Sequence, residues 1–331
     1  MPIAQQRIRC IAIREPGPPS VLEPAHQAER STPPGWVRVK VAASGVNRAD
    51  LLQRRGAYPP PPGVSPTIPG LEYAGVVEEV GDGCRLRAPG DPVMGILPGE
   101  GYAETVWVPE DQTIRVPLGM ELVEAAAIPE VFLTAWDALT RQAGLVAGES
   151  ILIHAVGSGV GTAALQLAAV SGALAVGTTR SPEKLERALA MGLAHGVAAR
   201  EGWVEQLGAL APGGFDVIMD LVGAAYVSAN LGLLAEGARW IVVGVPGGST
   251  AQVEFRTLMA RRARIQGTVL RARPDHEKAA LARAFERRIV PLFEEGRLRP
   301  VIDTILPAEE VSTAHERLEA SDSFGKLLLR W

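Results

Sequence analysis

The sequence predicts an α/β protein in which a doubly wound, Rossmann-type parallel sheet follows a mainly antiparallel β domain. Three observations support this prediction: a glycine-rich turn between an apolar strand and an alanine-rich helix at 150–168, alternating strands and helices after it, and short strands separated by Gly and Pro before it. Alternation implies parallel strands joined by right-handed crossovers, and the first part of the chain lacks it. We therefore divide the chain into residues 1–127, 128–271 and 272–331.

The composition is that of a folded globular protein. The chain has 331 residues, of which 47% are hydrophobic, and a net charge of −4, so it can form two domains with a large core. The net charge is negative and gives no extended positively charged surface, so we expect no nucleic-acid partner. Two cysteines, Cys10 and Cys84, are too few for a disulfide framework, and neither a leader nor an 18-residue apolar span is found. We expect a cytoplasmic protein that binds no membrane.

The first segment reads as short, partly alternating strands. The predicted strands are 7–14, 36–42, 74–80, 92–97 and 103–108. A helical turn is expected at 47–55, and the proline-rich run 56–63 after it cannot enter a sheet interior. We expect this run to form one lip of a cleft.

The turn after the strand at 150 is the candidate pyrophosphate site. A helix start offers unpaired N–H groups and a partial positive charge, and glycines let a phosphate approach them. Read literally, the G-x-G-x-x-G pattern falls on Val156, Ser158 and Gly161, so only its last glycine is kept. The cofactor-binding candidates in this turn are Gly157, Ser158, Gly159, Val160 and Gly161.

The end of the next strand favours NADPH over NADH. An NAD site places an acid about 20 residues past the fingerprint, whereas NADP requires a cation and small donors there. No carboxylate stands at this strand end, and the candidates for holding a 2′-phosphate are Thr179, Arg180, Ser181 and Lys184. The alternative is that Ser181 only caps a helix and the two cations are solvated; capping and phosphate binding use the same geometry.

The remaining elements follow the alternating pattern. The predicted strands are 173–179, one near 197, 215–222, 238–244 and 264–270, and the predicted helices are 182–191 and 224–234. A helix at 274–293, a strand at 301–306, a helix at 308–320 and a strand at 325–330 are expected to return to the first domain. The strand 264–270 would lie at a sheet edge, and an exposed edge needs covering, so we predict a homodimer joined there.

Several motifs occur in an order and spacing that resemble a known family. They are Gly45–Asp50, Arg55–Gly63, Pro69–Gly75, Ala125–Pro129, Ser158–Gly161 with Gln166, and Gly325-Lys326. Over nearly the whole chain the sequence resembles the medium-chain dehydrogenase/reductase superfamily, and within it the zinc-independent quinone oxidoreductases related to zeta-crystallin. It looks most similar to the branch containing the tumour-suppressor-induced quinone oxidoreductase. The resemblance implies a GroES-like, barrel-type catalytic domain and an NADP-binding Rossmann domain.

The resemblance also makes missing metal ligands informative. Alcohol dehydrogenases of the superfamily hold catalytic zinc on a cysteine, a histidine and a further cysteine or acid, and often a structural zinc on four cysteines. Asn47 and Leu71 stand at the first two of these catalytic positions here, and the four-cysteine loop is missing. The five histidines are not paired at ligand spacing. We therefore expect no metal.

Without a Lewis acid, hydride delivery to a conjugated acceptor is favoured over reduction of simple ketones. We expect an NADPH-dependent, metal-independent reductase of quinones or related α,β-unsaturated carbonyls, acting in a cleft between the domains. Asn47 and Tyr58 are the candidate donors to the acceptor oxygen. The resemblance adds Thr134, close to the nicotinamide.

The resemblance implies further contacts to the cofactor. Gly244, Val269 and Leu270 match stretches that line the nicotinamide ribose and carboxamide. Lys326 would reach the cofactor from the returning segment. Arg200 would replace a tyrosine that relatives place against the 2′-phosphate.

Two other functions stay open, and so do structural roles for some side chains. One alternative is an enoyl-thioester or other enone reductase, which needs room and cationic contacts for a large carrier. The other is a non-catalytic NADPH-binding scaffold or sensor. Asn47 could serve only to hydrogen-bond the backbone of a turn, and Tyr58 could serve only as a packing residue. The residues interpreted mainly as structural are Glu72, His154, Asp216 and Asp220.

Overall fold

The computed structural model describes residues 7–331, which divide into two compact units. One unit contains the described residues up to Leu133 together with Leu270–Trp331, and the other contains Thr134–Val269. The divisions thus fall after residues 133 and 269, compared with 127 and 271 in the sequence-based division.

The helices and strands are numbered here in chain order. The strands are β1 Arg7–Ile13, β2 Leu22–Ala28, β3 Trp36–Val46, β4 Glu72–Val80, β5 Pro92–Ile96, β6 Thr105–Pro109, β7 Ile114–Arg115, β8 Ser150–Ile153, β9 Leu174–Thr179, β10 His195–Ala198, β11 Phe215–Asp220, β12 Leu234–Val242, β13 Arg264–Gly267, β14 Ile302–Pro307 and β15 Lys326–Arg330. The helices are α1 Arg48–Arg54, α2 Leu122–Ala125, α3 Pro129–Trp136, α4 Gly159–Val170, α5 Pro182–Ala190, α6 Trp203–Leu210, α7 Val227–Gly232, α8 Phe255–Arg261, α9 Asp275–Arg288, α10 Val290–Glu294 and α11 Val311–Ala320.

The first unit is built on a mainly antiparallel sheet. Its strand order is β14-β15-β3-β4-β5-β7, β6 also pairs with β3, and β1 and β2 form a separate hairpin. The last strand, β15, runs antiparallel to β3, with Leu327 opposite Val46. This register brings Lys326 to the end of β3, next to Asn47. Inward-facing residues of β3 and β4, among them Val39 and Val77, form the core of the sheet.

The second unit is a doubly wound parallel sheet. Its strand order is β10-β9-β8-β11-β12-β13, and every neighbouring pair is parallel. Counted from β8, this is the 3-2-1-4-5-6 order of dinucleotide-binding folds. Its central strands are continuous apolar runs because helices cover both faces, and Ile218 and Trp240 are buried in its core. The predicted α/β fold class is confirmed.

Some predicted elements differ from the structure. The helix predicted at 274–293 is two helices, α9 and α10, because Pro291 has no N–H for the bond that would continue α9. The sixth parallel strand ends at Gly267 and not at residue 270. The predicted helix 224–234 is a short 3₁₀ turn followed by α7. Strands β2 and β7 and helices α2, α3, α6 and α8 were not predicted.

Candidate active site

The glycine-rich turn lies where β8 passes into α4. Ser158 caps the helix, and its hydroxyl accepts a hydrogen bond from the Gly161 N–H at 3.1 Å. A Cβ atom on Gly161 would lie 2.5 Å from the Ala155 carbonyl oxygen, so only glycine allows this close packing. The first amides of a twelve-residue helix thus stand at the carboxyl edge of the sheet. This arrangement fits the pyrophosphate of a dinucleotide.

The candidate 2′-phosphate residues follow β9. Ser181 caps α5 by accepting a hydrogen bond from the Lys184 N–H, and the Thr179 hydroxyl accepts one from the Ser181 N–H, both at 3.3 Å. Arg180 is exposed at the strand end, and exposed Arg200 follows the neighbouring strand β10. Because the strands are parallel, these residues share the sheet edge that carries the glycine-rich turn.

The remaining cofactor candidates are divided between the two units. Gly244 follows β12 at that same edge. Val269, which is 48% exposed, ends the second unit, whereas Leu270 is buried and begins the returning part of the first. Lys326 also belongs to the first unit.

Asn47, Glu72 and Lys326 form a buried polar cluster in the first unit. The Lys326 ammonium donates hydrogen bonds to Glu72 Oε1 at 2.5 Å, to Asn47 Oδ1 at 2.7 Å and to the Val46 carbonyl oxygen at 3.1 Å. Asn47 Nδ2 donates to Glu72 Oε1 at 2.8 Å. All three ammonium protons are therefore used inside this unit. The three side chains are 0–8% exposed, and pairing is what makes such burial of charge tolerable.

Gly45 explains how the cluster fits beside β3. A Cβ atom at this position would lie 2.0 Å from Glu72 Oε1, so a side chain would displace the carboxylate. Leu71, just before Glu72, is buried and apolar. The structure thus brings Asn47 and Lys326 together, because both side chains donate hydrogen bonds to Glu72 Oε1. The structural interpretation of Glu72 agrees with this ion pair.

Tyr58 lies beside an arginine that sequence reasoning missed. The guanidinium carbon of Arg271 lies 4.7 Å from the centre of the Tyr58 ring. Arg271 is held by Gln53, to whose Oε1 it donates at 2.7 Å, and by the Pro98 carbonyl oxygen, also at 2.7 Å. Burial raises the pKa of the Tyr58 phenol. The phenol is therefore protonated at neutral pH and can act as a hydrogen-bond donor.

Glu130 is a second residue that the sequence analysis missed. It lies in the first turn of α3, and its backbone N–H donates to Glu72 Oε2 at 2.8 Å. As a whole the residue is partly exposed, and within residues 7–331 its carboxyl group accepts no hydrogen bond. Burial, and after it the negative charge of Glu72, raises the pKa of Glu130 to about 8. A usable signal was its spacing: it precedes Thr134 by four residues in the same helix, so both project from one helical face.

Two buried histidines belong to structural networks. His154 contacts the Thr178 hydroxyl at 2.8 Å and Asn230 Oδ1 at 2.7 Å, and burial lowers its pKa. Asp220 accepts hydrogen bonds from the backbone N–H groups of Val222 and Gly223, both at 2.8 Å. The interpretation of His154 as a core residue is confirmed, and Asp220 serves the adjoining turn as predicted.

His315 lies in the other unit and forms the second network. Its ring contacts Arg54 at 3.2 Å and the Tyr102 hydroxyl at 3.1 Å, while Tyr102 donates to Asp50 at 3.2 Å. Burial lowers the pKa of His315 to about 3 and raises the pKa of Asp50 to about 6. His315 is therefore neutral at physiological pH.

Residues 7–331 contain neither a cluster of metal ligands nor a membrane-spanning helix. No three or more His, Cys, Asp or Glu side chains in this range are grouped so that they could hold a metal ion. No helix in this range combines the length and apolar character needed to cross a membrane.

Comparison with known proteins identifies the class to which this fold and site belong. The chain matches the alcohol dehydrogenase GroES-like domain over residues 33–118 and the zinc-binding dehydrogenase family over residues 159–286. Among solved structures, an NAD-dependent alcohol dehydrogenase has a TM-score of 0.87 and 32% identity, and JamJ enoyl reductase has 0.88 and 26%. Each alignment covers 98% of this chain and 99% of the other. The chain is therefore an oxidoreductase of the medium-chain dehydrogenase/reductase superfamily.

Sequence relatives narrow the class further. Human quinone oxidoreductase is 32% identical over 335 residues, covering 99% of each chain. The mouse synaptic vesicle membrane protein VAT-1 homolog is 31% identical over 311 residues, covering 89% of this chain and 76% of the relative. The chain belongs to the quinone oxidoreductase family of this superfamily, which confirms the resemblance to quinone oxidoreductases inferred from its motifs. Members of the superfamily use nicotinamide dinucleotides, in agreement with the glycine-rich turn.

Proposed function

We propose that this protein is an NADPH-dependent reductase of quinones or related α,β-unsaturated carbonyls that uses no catalytic metal. The observation that carries the proposal is the donor set around Asn47. Its amide is bonded to Glu72 and to the Lys326 ammonium, and Leu71 is apolar, so the one zinc-type ligand of this set, the Glu72 carboxylate, is already paired with a cation. The similarity to human quinone oxidoreductase over the full chain supports the same function.

The cofactor would be held by the carboxyl edge of the parallel sheet. The turn from Gly157 to Gly161 would bind the pyrophosphate, and Arg180 with Lys184 would bind the 2′-phosphate. When bound, NADPH supplies a hydride from nicotinamide C4. Gly244 and Val269 would line the nicotinamide half, and Thr134 would lie close to the ring. We no longer assign Lys326 to the cofactor, because its ammonium protons are engaged by Val46, Asn47 and Glu72.

The acceptor would be positioned by residues of the first unit. Tyr58 would donate a hydrogen bond to the acceptor oxygen, with Arg271 stacked on its ring. Asn47 would orient two charged side chains, since its Oδ1 accepts a hydrogen bond from Lys326 and its Nδ2 donates one to Glu72. The positive and negative charges of that cluster balance, so it adds little net field at the acceptor.

The test is consumption of NADPH, followed by its absorbance, with a panel of quinones and enones and with NADH in parallel. We expect oxidation with quinones, faster from NADPH than from NADH. Tight NADPH binding with no oxidation by any acceptor would contradict a reductase and favour a nucleotide sensor. Faster reaction with NADH would contradict the assignment of the 2′-phosphate site.

A cavity in the first unit supports enoyl-thioester reduction as a second candidate. Its volume is about 460 Å³, and Arg271, the arginine stacked on Tyr58, is part of its wall. Two tryptophans, Trp36 and Trp107, also line it. Its charged lining residues are Arg30, Arg271, Arg273 and Lys278, together with Glu100 and Asp275. Arg30 is paired with Glu100 at 3.9 Å and Lys278 with Asp275 at 3.7 Å, and the remaining excess of two positive charges suits the phosphates of a large carrier.

Binding to immobilised coenzyme A thioesters separates the two candidates. If the cavity holds the carrier, the protein should be retained on such a resin, and Arg30→Gln should weaken retention. Arg85→Gln, at an exposed arginine outside the cavity, is the matched control. No retention of the wild-type protein would leave the quinone reductase as the function.

A further inference from the structure

Reduction of a quinone requires a proton that the hydride does not bring. A quinone takes up two electrons and two protons to become a hydroquinone, and a hydride carries both electrons but only one proton. Without a proton donor the product oxygen would remain an oxyanion. The same balance holds for an enone, whose enolate must be protonated. A reductase of this kind therefore needs a proton donor.

Two carboxylates of the first unit, Glu72 and Asp50, already accept hydrogen bonds from several donors. Glu72 is fully buried, with Oε1 bonded to Asn47 and Lys326 and Oε2 bonded to the Glu130 N–H. Asp50 is fully buried too, and it accepts hydrogen bonds from three donors. These donors are the Asn47 N–H, the Gly70 N–H and the Tyr102 hydroxyl. Neither carboxylate can exchange protons with an acceptor without breaking such bonds.

Glu130 differs from both carboxylates in ways that suit proton transfer. The residue is partly exposed, whereas Glu72 and Asp50 are fully buried, and its carboxyl group accepts no hydrogen bond from the described residues. Only its backbone is held, by Glu72. It lies one helical turn before Thr134, the residue expected to be close to the nicotinamide ring.

The charges that face Glu130 come from several elements. Glu72 on β4 and Asp50 on α1 oppose its ionisation, and Lys326 on β15 and Arg271 favour it. Tyr58 also interacts with Glu130, because the negative charge of the Glu130 carboxylate raises the pKa of the Tyr58 phenol. Burial outweighs the two cations, and the resulting pKa of about 8 keeps Glu130 protonated at neutral pH. A donor with a pKa near the working pH can both release and regain a proton.

We propose that Glu130, as a neutral carboxylic acid, is the group that transfers a proton to the oxygen of the reduced acceptor. The O–H bond of Glu130 breaks as the product O–H bond forms, and the hydride has already delivered the electron pair. The carboxylate left behind regains a proton from solvent before the next turnover. This inference rests on the proposed reductase function.

The test compares pH profiles of turnover at saturating NADPH for the wild type and Glu130→Gln. Wild-type turnover should be constant near pH 6–7 and fall about tenfold per pH unit above about 8, because only the protonated acid is active. Glu130→Gln should lower turnover at pH 7 about 100-fold and abolish this decline. Glu130→Asp, which keeps a carboxyl group, should retain a pH-dependent decline.

Controls separate a chemical role from a structural one. Glu124→Gln, at an exposed residue of α2, should behave as the wild type. NADPH affinity of Glu130→Gln should stay within about twofold of wild type, since the loss is in proton transfer and not in folding. If the wild type is active and Glu130→Gln keeps its rate and pH profile, the inference fails and the reductase function stands. If none of the tested acceptors supports oxidation of NADPH by the wild type, both the inference about Glu130 and the proposed reductase function fail.

Discussion

At the scale of single residues, the most consequential contact is the one between Lys326 and Glu72. Two opposite charges are removed from water in the interior of the first unit. They are compensated by their mutual contact, by Asn47, and by the Val46 carbonyl oxygen and the Glu130 N–H. A buried pair of this kind contributes little net stability over an apolar pair. Removing one partner, however, leaves an uncompensated charge.

We therefore predict that Lys326→Met is strongly destabilising. The free energy of unfolding should fall by about 3–5 kcal/mol, because Glu72 loses its counter-charge and must be buried alone or take up a proton. Urea denaturation measures this change. Lys40→Met, at an exposed lysine on β3, is the control and should change stability by less than about 0.5 kcal/mol. Equal losses in the free energy of unfolding of the two variants would contradict a stabilising role of the Lys326–Glu72 ion pair.

At the scale of elements, the proposed preference for NADPH depends on the junction of β9 and α5. Ser181 caps the helix in the structure, which is the structural alternative, and the same geometry presents amide groups to a phosphate. Arg180 is exposed at this junction, in a chain stretch that lacks a carboxylate at the strand end.

We predict that Arg180→Gln weakens NADPH binding about tenfold and leaves NADH binding within about twofold. A charge-assisted hydrogen bond to the 2′-phosphate contributes about 1.5 kcal/mol or more, and NADH has no such phosphate. Fluorescence titration with both nucleotides measures the difference. Arg85→Gln controls for the general loss of a positive charge. Parallel losses for NADPH and NADH would place the 2′-phosphate elsewhere.

The sequence predicts elements whose signals are local, and it misses groups whose properties come from distant contacts. Gly161 and the Ser181-Pro182 helix start were readable because steric fit and capping depend on near neighbours. Glu130 was not, since its raised pKa comes from burial and from Glu72, which lies far away along the chain. Arg271 likewise meets Tyr58 only after the chain returns to the first unit.

At the scale of the whole molecule, the edge of the parallel sheet suggests how two copies associate. Strand β13 is the outermost strand, and Ile265 on it is 38% exposed. Helix α8, immediately before it, exposes Phe255 and Met259, which lie one helical turn apart. An unpaired edge flanked by apolar side chains is suited to pairing with the same strand of a second copy.

We predict a homodimer of about 70 kDa, twice the chain mass of 35.0 kDa, that Ile265→Lys converts to monomers. A lysine at the edge introduces like charges where two copies of the strand would meet. Small-angle scattering gives the mass. Ile305→Lys is the matched control, since it places the same charge on β14, the edge strand of the other sheet. A monomeric wild type, or equal effects of the two variants, would contradict pairing through β13.

The antiparallel pairing of β15 with β3 also sets an order of events during synthesis on the ribosome. The parallel unit is one continuous stretch of chain, so it can fold as soon as its last strand emerges. The first unit cannot do the same: Glu72 emerges early, but the cation that neutralises it is the side chain of Lys326, near the end of translation. Until then the chain of the parallel unit is complete while that of the first unit is not, and a chain interrupted before residue 326 would leave the Glu72 carboxylate without its cation.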